Sequence, residues 1–419
     1  MTPAVGAPST GDGPARATRT AWVALAVLTG INLFNYLDRF VLPAVLDEIH
    51  RSELQPTNGQ LGLLTTAFLL VYTIAAPFFG TFGDRGHRPK LLAAGVAVWS
   101  AATALSGLAS TYWLLFAARA GVGIGEAAYA TIAPALLADF FPVAMRGRVL
   151  SIFYAAMPVG AALGYVLGGQ IGMHYGWRAA FFVAGIPGIL LAFAAMRLPE
   201  SEHRTVSDKP AGFGDYLVLL RNRPYVLVIL GYAAYTFGLG GISVWMPTFL
   251  ERVHHLSLAA ANNQLGIITV VTGFGGALAG GWLGDRLLRR WREGYLWLSG
   301  TSALLAAPCA YLAFRLPPPY YLYALFAAEL LIFLSTGPVN SSILGLVAPS
   351  MRAASMALSI LAIHFLGDGP SPAILGYLTD RDSIQSAVMI IPVSVAVGGL
   401  IWLYAAWQGE RSPRRGAPT

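Results

Sequence analysis

The stretch GTFGDRGHRPKLL, residues 80–92, decides the fold, because it places five ionisable side chains between two long apolar runs. A shortened copy, GGWLGDRLLRR at residues 280–290, returns after a nearly constant offset of 201 residues. A charged turn of this kind, flanked by apolar runs and repeated in register, predicts two related halves within one membrane-embedded chain.

The composition makes the bilayer the expected solvent. Of 419 residues, 56% are hydrophobic and only 11% are charged, whereas a soluble domain carries about 25% charged residues. A helical span needs about 20 mostly apolar residues, and twelve such runs follow one another along the chain. Because lipid offers no partner to a free backbone amide, these runs predict helices. Their continuity lacks the alternation of a membrane β-barrel. We expect an all-α membrane protein with twelve transmembrane helices.

Several function classes lack their sequence signals. The chain has one cysteine, Cys309, which excludes an internal disulfide or a cysteine-rich metal centre. It has no G-x-x-x-x-G-K-[ST] phosphate loop for ATP, and no nucleophile–base–acid set. We therefore expect a carrier rather than an enzyme, with the proton as coupling ion, no other cofactor and no bound metal.

The net charge of +7 reflects topology rather than a nucleic-acid partner. With the N-terminus placed inside, twenty of the 27 Lys and Arg residues fall on the inner side, five on the outer side and two within spans. Basic loops remain cytoplasmic, so both termini are predicted to be cytoplasmic. We expect a multi-pass integral membrane protein.

The chain organisation is predicted from the repeat. A weaker echo relates PVAMRGRVLSI at residues 142–152 to PSMRAASMALSI at residues 349–360, each after the fourth span of its half. These echoes indicate two pseudo-symmetric six-helix bundles. The predicted segments are a disordered cytoplasmic tail at 1–20, an N-terminal bundle at 21–197, a cytoplasmic interdomain loop at 198–223, a C-terminal bundle at 224–407 and a cytoplasmic tail at 408–419.

This pattern resembles the major facilitator superfamily, whose substrate site lies between the halves at mid-membrane. The resemblance is specific at Gly80-x-x-x-Asp84-Arg85-x-x-Arg88. Three stretches are similar to the spinster-like branch: FNYLDRFVLPAVL at 34–46, RAGVGIGEAAYATIAPALLADFFP at 119–142 and HFLGDGPSPAILGYLTD at 364–380. The likeness implies proton-linked or facilitated movement of amphiphilic lipids such as lysophospholipids or sphingoid phosphates. The short tails and alanine-rich composition indicate a bacterial inner-membrane member.

The charged turns are predicted to close the cytoplasmic side. An aspartate there can pair with arginines or accept from a helix N-terminus, and breaking those contacts would open the gate. The alternative is simple anchoring by positive charge. The predicted gate residues are Gly80, Asp84, Arg85, Arg88, Arg146, Asp285 and Arg286.

Ionisable side chains inside spans are costly unless they face a partner or water. At about 1.5 Å per residue, Asp38 in span one and Arg119 in span four reach similar depths. They are predicted to pair, with Arg39 competing for the same carboxylate. Glu126 lies seven residues after Arg119, on nearly the same helix face. It has no evident cationic neighbour and is the expected titrating group. The proton-coupling residues are thus Asp38, Arg39 and Glu126, and a static packing network is the alternative.

Substrate contacts are predicted around the same depth. A guanidinium binds phosphate or carboxylate bidentately, so Arg119 is a candidate for anion recognition. Helix-breaking residues in GDGPSP predict a hinge at Gly367, Asp368 and Pro370, and the roles of Asp368 and Glu329 stay open. The candidate substrate-binding residues are Arg119, Glu126, Tyr36, Tyr154, Tyr235, Trp245 and His364.

Together these features predict a secondary active transporter, proton-coupled and working by alternating access. Its expected partners are membrane lipid, protons and an amphiphilic or anionic lipid-like solute, and it is expected to be a monomer. Two alternatives remain: an exporter of drugs or small organic anions, and a lipid scramblase or non-transporting sensor on the same scaffold.

Overall fold

A computed structural model describes residues 18–85, 87–200, 213–348 and 351–411. The regular structure of these residues is helical. The helices are α1 (Arg19–Ala44), α2 (Leu46–Arg51), α3 (Asn58–Arg85), α4 (Arg88–Gly107), α5 (Tyr112–Phe140), α6 (Val143–Tyr175), α7 (Trp177–Met196), α8 (Phe213–Arg221), α9 (Arg223–His254), α10 (Leu258–Leu288), α11 (Gly294–Ala313), α12 (Tyr320–Phe333), α13 (Thr336–Gly345), α14 (Arg352–Leu366), α15 (Ser371–Arg381), α16 (Ile384–Ala387) and α17 (Ile390–Arg411).

Twelve helical segments among the described residues are long and apolar enough to cross a membrane, which confirms the all-α prediction. In the first half, each span is a single helix. In the second half, the last three spans each combine two helices: α12 with α13, α14 with α15, and α16 with α17. The two halves therefore share a span count but differ in the continuity of their helices.

Short polar residues fix where several spans begin. The Thr18 hydroxyl accepts a hydrogen bond at the start of α1, Thr111 does so at α5 and Ser257 at α10. Each caps an amide that the helix itself leaves without a partner. Gly176 separates α6 from α7 with a φ of +80°, a conformation that glycine adopts at low cost.

A glycine face on α6 holds it against α1. A β-carbon added to Gly160 would lie 2.8 Å from the Cβ of Tyr36. One added to Gly164 would lie 2.7 Å from that of Phe40. Small residues at such positions let helix backbones approach closely inside a membrane. The close approach also sets the orientation of α1, which carries Asp38 and Arg39.

The helices form two bundles, the N-bundle (α1–α7) and the C-bundle (α9–α17). Two observations refine the predicted segments. Helix α8 occupies part of the interdomain loop, and α17 continues through Arg411, beyond the apolar run that set the expected boundary at residue 407. Residues 1–17, most of the predicted first tail, and residues 412–419 of the second lie outside the described residues.

Three helix pairs make the largest contacts between the bundles, and smaller ones join α3 to α14 and α2 to α9. Helix α3 packs on α15, α6 packs on α10, and α1 contacts α9. The bundles therefore face each other across α1, α3 and α6 on one side and α9, α10 and α15 on the other. Any site between the bundles is lined from these helices and their neighbours.

Candidate transport site

One end of the interface between the bundles is closed by Asp380, at the end of α15. Its carboxylate accepts hydrogen bonds from the backbone N–H of Asn58 at 2.9 Å and from that of Gly59 at 2.7 Å. It also accepts from the Asn58 side-chain amide at 2.7 Å. A residue of the C-bundle thus caps the first turn of an N-bundle helix, and a carboxylate suits this position because the helix dipole is positive there.

Arg252, at the end of α9, makes a second closing contact. Its guanidinium donates to Asp47 at 2.6 Å and to the Asn58 side-chain oxygen at 2.8 Å. Asp47 is almost fully buried and also pairs with Arg51. We call Asp47, Asn58, Arg252 and Asp380 the outer latch, because this end is the predicted outer face. The latch joins both bundles through charge-assisted hydrogen bonds.

Glycine lets the backbones meet just below the outer latch. A β-carbon on Gly62 of α3 would lie 2.7 Å from the Cα of Ala373 in α15, a distance at which backbone atoms must move. Deeper still, the Thr66 hydroxyl donates to the carbonyl of Gly369 at 2.7 Å. The two helices therefore leave no space between them over about two turns.

The end of the interface opposite the outer latch differs in its hydrogen bonds between the bundles. Among pairs of described residues, the hydrogen bonds between bundles lie in the half toward the outer latch. The Tyr154 side chain of α6, toward the other end, is 46% exposed. Among the described residues, the hydrogen bonds that join the bundles are thus concentrated toward the predicted outer face.

Asp38 of α1 and Arg119 of α5 form a buried ion pair. The guanidinium lies 3.1 Å from one Asp38 carboxylate oxygen, and each side chain is 1% exposed. The Thr103 hydroxyl of α4 donates to the other oxygen. The predicted contact between Asp38 and Arg119 is present, and Thr103 is a partner that the sequence did not indicate.

Arg39 pairs with Glu126, contrary to expectation. We predicted that Arg39 would compete for Asp38 and that Glu126 would have no cationic neighbour. Instead, the Arg39 Nε lies 2.7 Å from Glu126 Oε2. The reason is geometric: consecutive residues of α1 point in directions about 100° apart, so Asp38 and Arg39 reach different levels of α5. The other Glu126 oxygen is buried and has no hydrogen-bond partner.

Aromatic rings surround the Arg39 guanidinium. Its carbon lies 5.2 Å from the ring centre of Tyr36, 5.1 Å from that of Phe68 and 5.0 Å from that of Tyr72. The Phe68 ring also lies 5.7 Å from the Arg119 guanidinium. Such contacts attract a cation toward the ring face. Phe68 therefore separates the two cations while it contacts both.

The predicted aromatic lining divides into two groups. Tyr36 is half-buried beside Arg39, and Tyr154 is exposed. Tyr235 and Trp245 are instead buried within the C-bundle: Tyr235 donates to the carbonyl of Ile332 at 2.6 Å, and Trp245 to that of Pro372 at 3.0 Å. The structure thus brings Tyr36 to the ion pairs but places Tyr235 and Trp245 as packing residues, away from them.

His364 faces the ion pairs from the C-bundle. Its Nδ1 lies 2.8 Å from the Asp368 carboxylate, and its ring packs edge-on against Tyr72 with ring centres 5.8 Å apart. Tyr72 therefore connects His364 to Arg39. In the span that carries His364, α14 ends at Leu366 and α15 begins at Ser371. The span is broken at the segment containing Gly367, Asp368 and Pro370, where glycines and prolines predicted a hinge.

Glu329 lies apart from these groups, in α12. It is 3% exposed and accepts from the hydroxyls of Thr269 at 3.3 Å and Thr272 at 3.1 Å. Both threonines belong to α10 of the same bundle. In this structure Glu329 is therefore a buried hydrogen-bond acceptor, and its role in transport stays open.

Two of the predicted cytoplasmic gate residues, Arg88 and Arg146, make hydrogen bonds within the N-bundle. Arg88 bonds Asp139 at 2.5 Å, and Arg146 donates to the carbonyl of Phe141 at 3.2 Å. A β-carbon on Gly80 would meet nothing within 4 Å. In the C-bundle, Asp285 accepts a hydrogen bond from Tyr295 at 2.7 Å, and Arg286 lies 5.5 Å from the centre of the Trp282 ring. Asp84 and Arg85 lie at the end of α3, and their side chains are outside the described residues.

Sequence reasoning missed the outer latch. Asp47, Arg252 and Asp380 each lie near the end of an apolar run, where charges are ordinary and carry no signal of a partner. Asp139, the partner of Arg88, was missed for the same reason. The sequence offered one hint of this contact: α2 and the end of α9 both carry an acidic residue beside or near an arginine.

Comparison with known proteins identifies the fold. A family model described as Major Facilitator Superfamily matches residues 28–368. The chain belongs to this superfamily. Within it, the chain is 32% identical to Protein spinster homolog 1 of Xenopus tropicalis over 93% of this chain and 81% of that protein. It is 33% identical to the Homo sapiens homolog over the same shares of the two chains. These relatives place it in the spinster branch, as the sequence predicted.

Solved structures agree with this fold. A bacterial homolog of the human lysosomal transporter spinster, crystallised in an inward-facing and unoccupied conformation, superposes with a TM-score of 0.85 at 22% identity. It covers 95% of this chain and 100% of that one. Its inward-facing, occupied form gives a TM-score of 0.83. The fold and family of this spinster-type protein are those of transporters.

Proposed function

We propose that this chain is a proton-coupled carrier that moves an amphiphilic, anionic lipid-like solute of the lysophospholipid or sphingoid-phosphate class by alternating access. Both termini face the cytoplasm of a bacterial inner membrane, and the protein acts as a monomer. The family supports transport as such. The coupling ion, substrate class and orientation are the proposed parts.

One observation carries the coupling: Glu126 is fully buried, pairs with Arg39 through one oxygen and leaves the other without a partner. A buried carboxylate whose hydrogen-bonded cation is on another helix is stabilised while that cation stays close. If α1 moves relative to α5, Glu126 loses its partner and takes up a proton instead. Proton binding and bundle movement are thereby linked.

Arg39 is the better candidate for the solute's anion. Arg119 was predicted for this role, but its side chain is 1% exposed and bonded to Asp38, whereas Arg39 is 17% exposed. An anionic headgroup that pairs with Arg39 competes with Glu126 for the same guanidinium. Substrate binding then favours protonation of Glu126, and the surrounding rings of Tyr36, Phe68 and Tyr72 offer apolar surface to the rest of an amphiphile.

The proposal is tested in proteoliposomes with an imposed pH gradient and fluorescent lysophospholipid or sphingoid phosphate. We expect uptake that depends on the gradient, and in Arg39→Gln a loss of uptake for anionic more than for neutral analogues. Loss of lipid asymmetry without dependence on the gradient would instead identify a scramblase. Gradient-dependent flux of organic anions or drugs, with no flux of lipids, would reject the substrate class and keep the carrier.

A further inference from the structure

A groove in the C-bundle lies outside the transport site. It is formed where α10 ends, α11 begins and α17 ends, at the predicted cytoplasmic face. Its volume is about 510 Å³, within the range of about 300–1,000 Å³ that is usual for ligand pockets. The residues lining this groove, which we call the α10–α11–α17 groove, are Leu287, Trp291, Trp297, Thr301 and Glu410.

The groove runs from the helix ends toward the bilayer interior. Trp297 and Thr301 are four residues apart and so share one face of α11. Thr301 follows the first residue of α11 by seven positions, which is about 10 Å at 1.5 Å per residue. Its hydroxyl donates to the carbonyl of Trp297 at 2.7 Å, so its polar atom is satisfied. The wall is therefore suited to an apolar chain.

Arginines lie beside the groove, whose one charged lining residue is Glu410. Arg290 lies 5.7 Å from the Trp291 ring centre, and Arg411 lies 3.9 Å from that of Trp407. Of the acids beside them, Glu410 already accepts from the backbone N–H of Glu293 at 3.0 Å. The exposed arginines within two residues of the lining residues are Arg289, Arg290, Arg292 and Arg411, against the two acids Glu293 and Glu410, and Arg292 pairs with Glu293.

We propose that the α10–α11–α17 groove holds an anionic diacyl phospholipid of the adjacent leaflet, with an acyl chain against Leu287, Trp297 and Thr301 and the headgroup phosphate at Arg290 and Arg411. Basic pockets between membrane helices on the cytoplasmic side bind anionic headgroups, and tryptophans favour the same interface. The site belongs to the C-bundle alone, so it binds a structural lipid rather than the transported solute.

The test measures lipid-dependent stability of the full chain in nanodiscs of phosphatidylcholine, with and without phosphatidylglycerol. We expect phosphatidylglycerol to raise the thermal midpoint of unfolding by about 1–2 °C, a small shift because the entropy of unfolding grows with chain length, and native mass spectrometry to show retained phosphatidylglycerol. Arg290→Gln with Arg411→Gln should remove both effects. The control, Arg315→Gln with Arg381→Gln, removes the same charge from exposed arginines over tyrosine rings elsewhere in the C-bundle and should keep both.

A second pair of variants tests the acyl chain. Thr301→Phe fills the groove and should abolish the phosphatidylglycerol effect, whereas Thr301→Val keeps its shape and should retain it. Equal responses of the wild type and the Arg290/Arg411 variant would overturn the proposal. It would equally be overturned if soluble glycerol phosphate stabilised the protein as well as the lipid does. The charge variants remain decisive if Thr301→Phe does not fold.

Discussion

Arg39 and Glu126 form an ion pair in which only one partner reaches solvent: the arginine side chain is 17% exposed and the glutamate 0%. The pair is therefore open to competition from one side. In the proposed mechanism, an anion that enters between the bundles would meet Arg39, and Glu126 would respond. This difference in exposure distinguishes the pair from Asp38 and Arg119, whose side chains are both buried.

Glu126→Gln should abolish the component of uptake that depends on a pH gradient, because an amide cannot take up and release a proton. Protein abundance should be preserved, since Arg39 keeps access to solvent. Proteoliposome uptake with and without the gradient measures this. Glu329→Gln is the matched control, a buried carboxyl within the C-bundle. Full gradient-dependent uptake in Glu126→Gln would remove Glu126 from the coupling role.

Arg119→Ala should destabilise the protein by about 3–5 kcal/mol, the usual cost of leaving one charge of a buried pair alone. Asp38→Ala with Arg119→Ala should cost less than the sum of the single changes, because no charge is then stranded. Thermal unfolding of the two single variants and the double variant gives this coupling. Additive losses would show that the two residues do not depend on each other.

Asp380→Asn should shift the protein toward the outward-open form. The amide presents one acceptor where the carboxylate presented two, and it lacks the charge that favours a helix N-terminus. Spin labels at Gln55→Cys and Asp382→Cys, with Cys309→Ser, report the distance across the outer end. We expect a longer-distance population to grow. An unchanged distance distribution would mean that Asp380 does not hold this end closed.

Gly62→Ala should produce the same shift by a steric route, because its β-carbon would lie 2.7 Å from the Ala373 backbone. The same pair of labels measures it. Gly30→Ala is the control: its added carbon would come no closer than 4.0 Å to Leu191, so the distances should stay as in the wild type. A shift in the control, or none in Gly62→Ala, would contradict the assignment of α3 and α15 as the closing surface.

Sequence alone predicted the fold because apolar runs and a repeated charged turn are local signals. It also predicted the contact of Asp38 with Arg119, since depth along a straight helix follows from a fixed rise per residue. It failed for Arg39 and Glu126 because depth says nothing about the rotation of a helix about its axis. That rotation is set by packing, here by the glycine face of α6 against α1.

The outer latch could not be predicted for a different reason. Asp380 and Asn58 are 322 residues apart, and each is unremarkable at the end of a span. Their contact exists because two bundles dock, which is a property of the whole fold. Tyr235 and Trp245 were predicted to bind substrate but are buried within the C-bundle. The sequence could not separate the two roles, because aromatic residues of a span serve both packing and cavities.

The start of α3 has two sets of caps of different origin. Thr57 and Gln60 bond each other's backbone N–H groups, at 2.9 and 3.1 Å, while the N–H groups of Asn58 and Gly59 depend on Asp380 of the opposite bundle. When the bundles separate, water replaces Asp380 at two peptide groups, and the reciprocal Thr57–Gln60 bonds continue to hold the turn. In the proposed cycle, the helix end would thus detach from its neighbour without unravelling, which would limit the free-energy cost of opening the outer end.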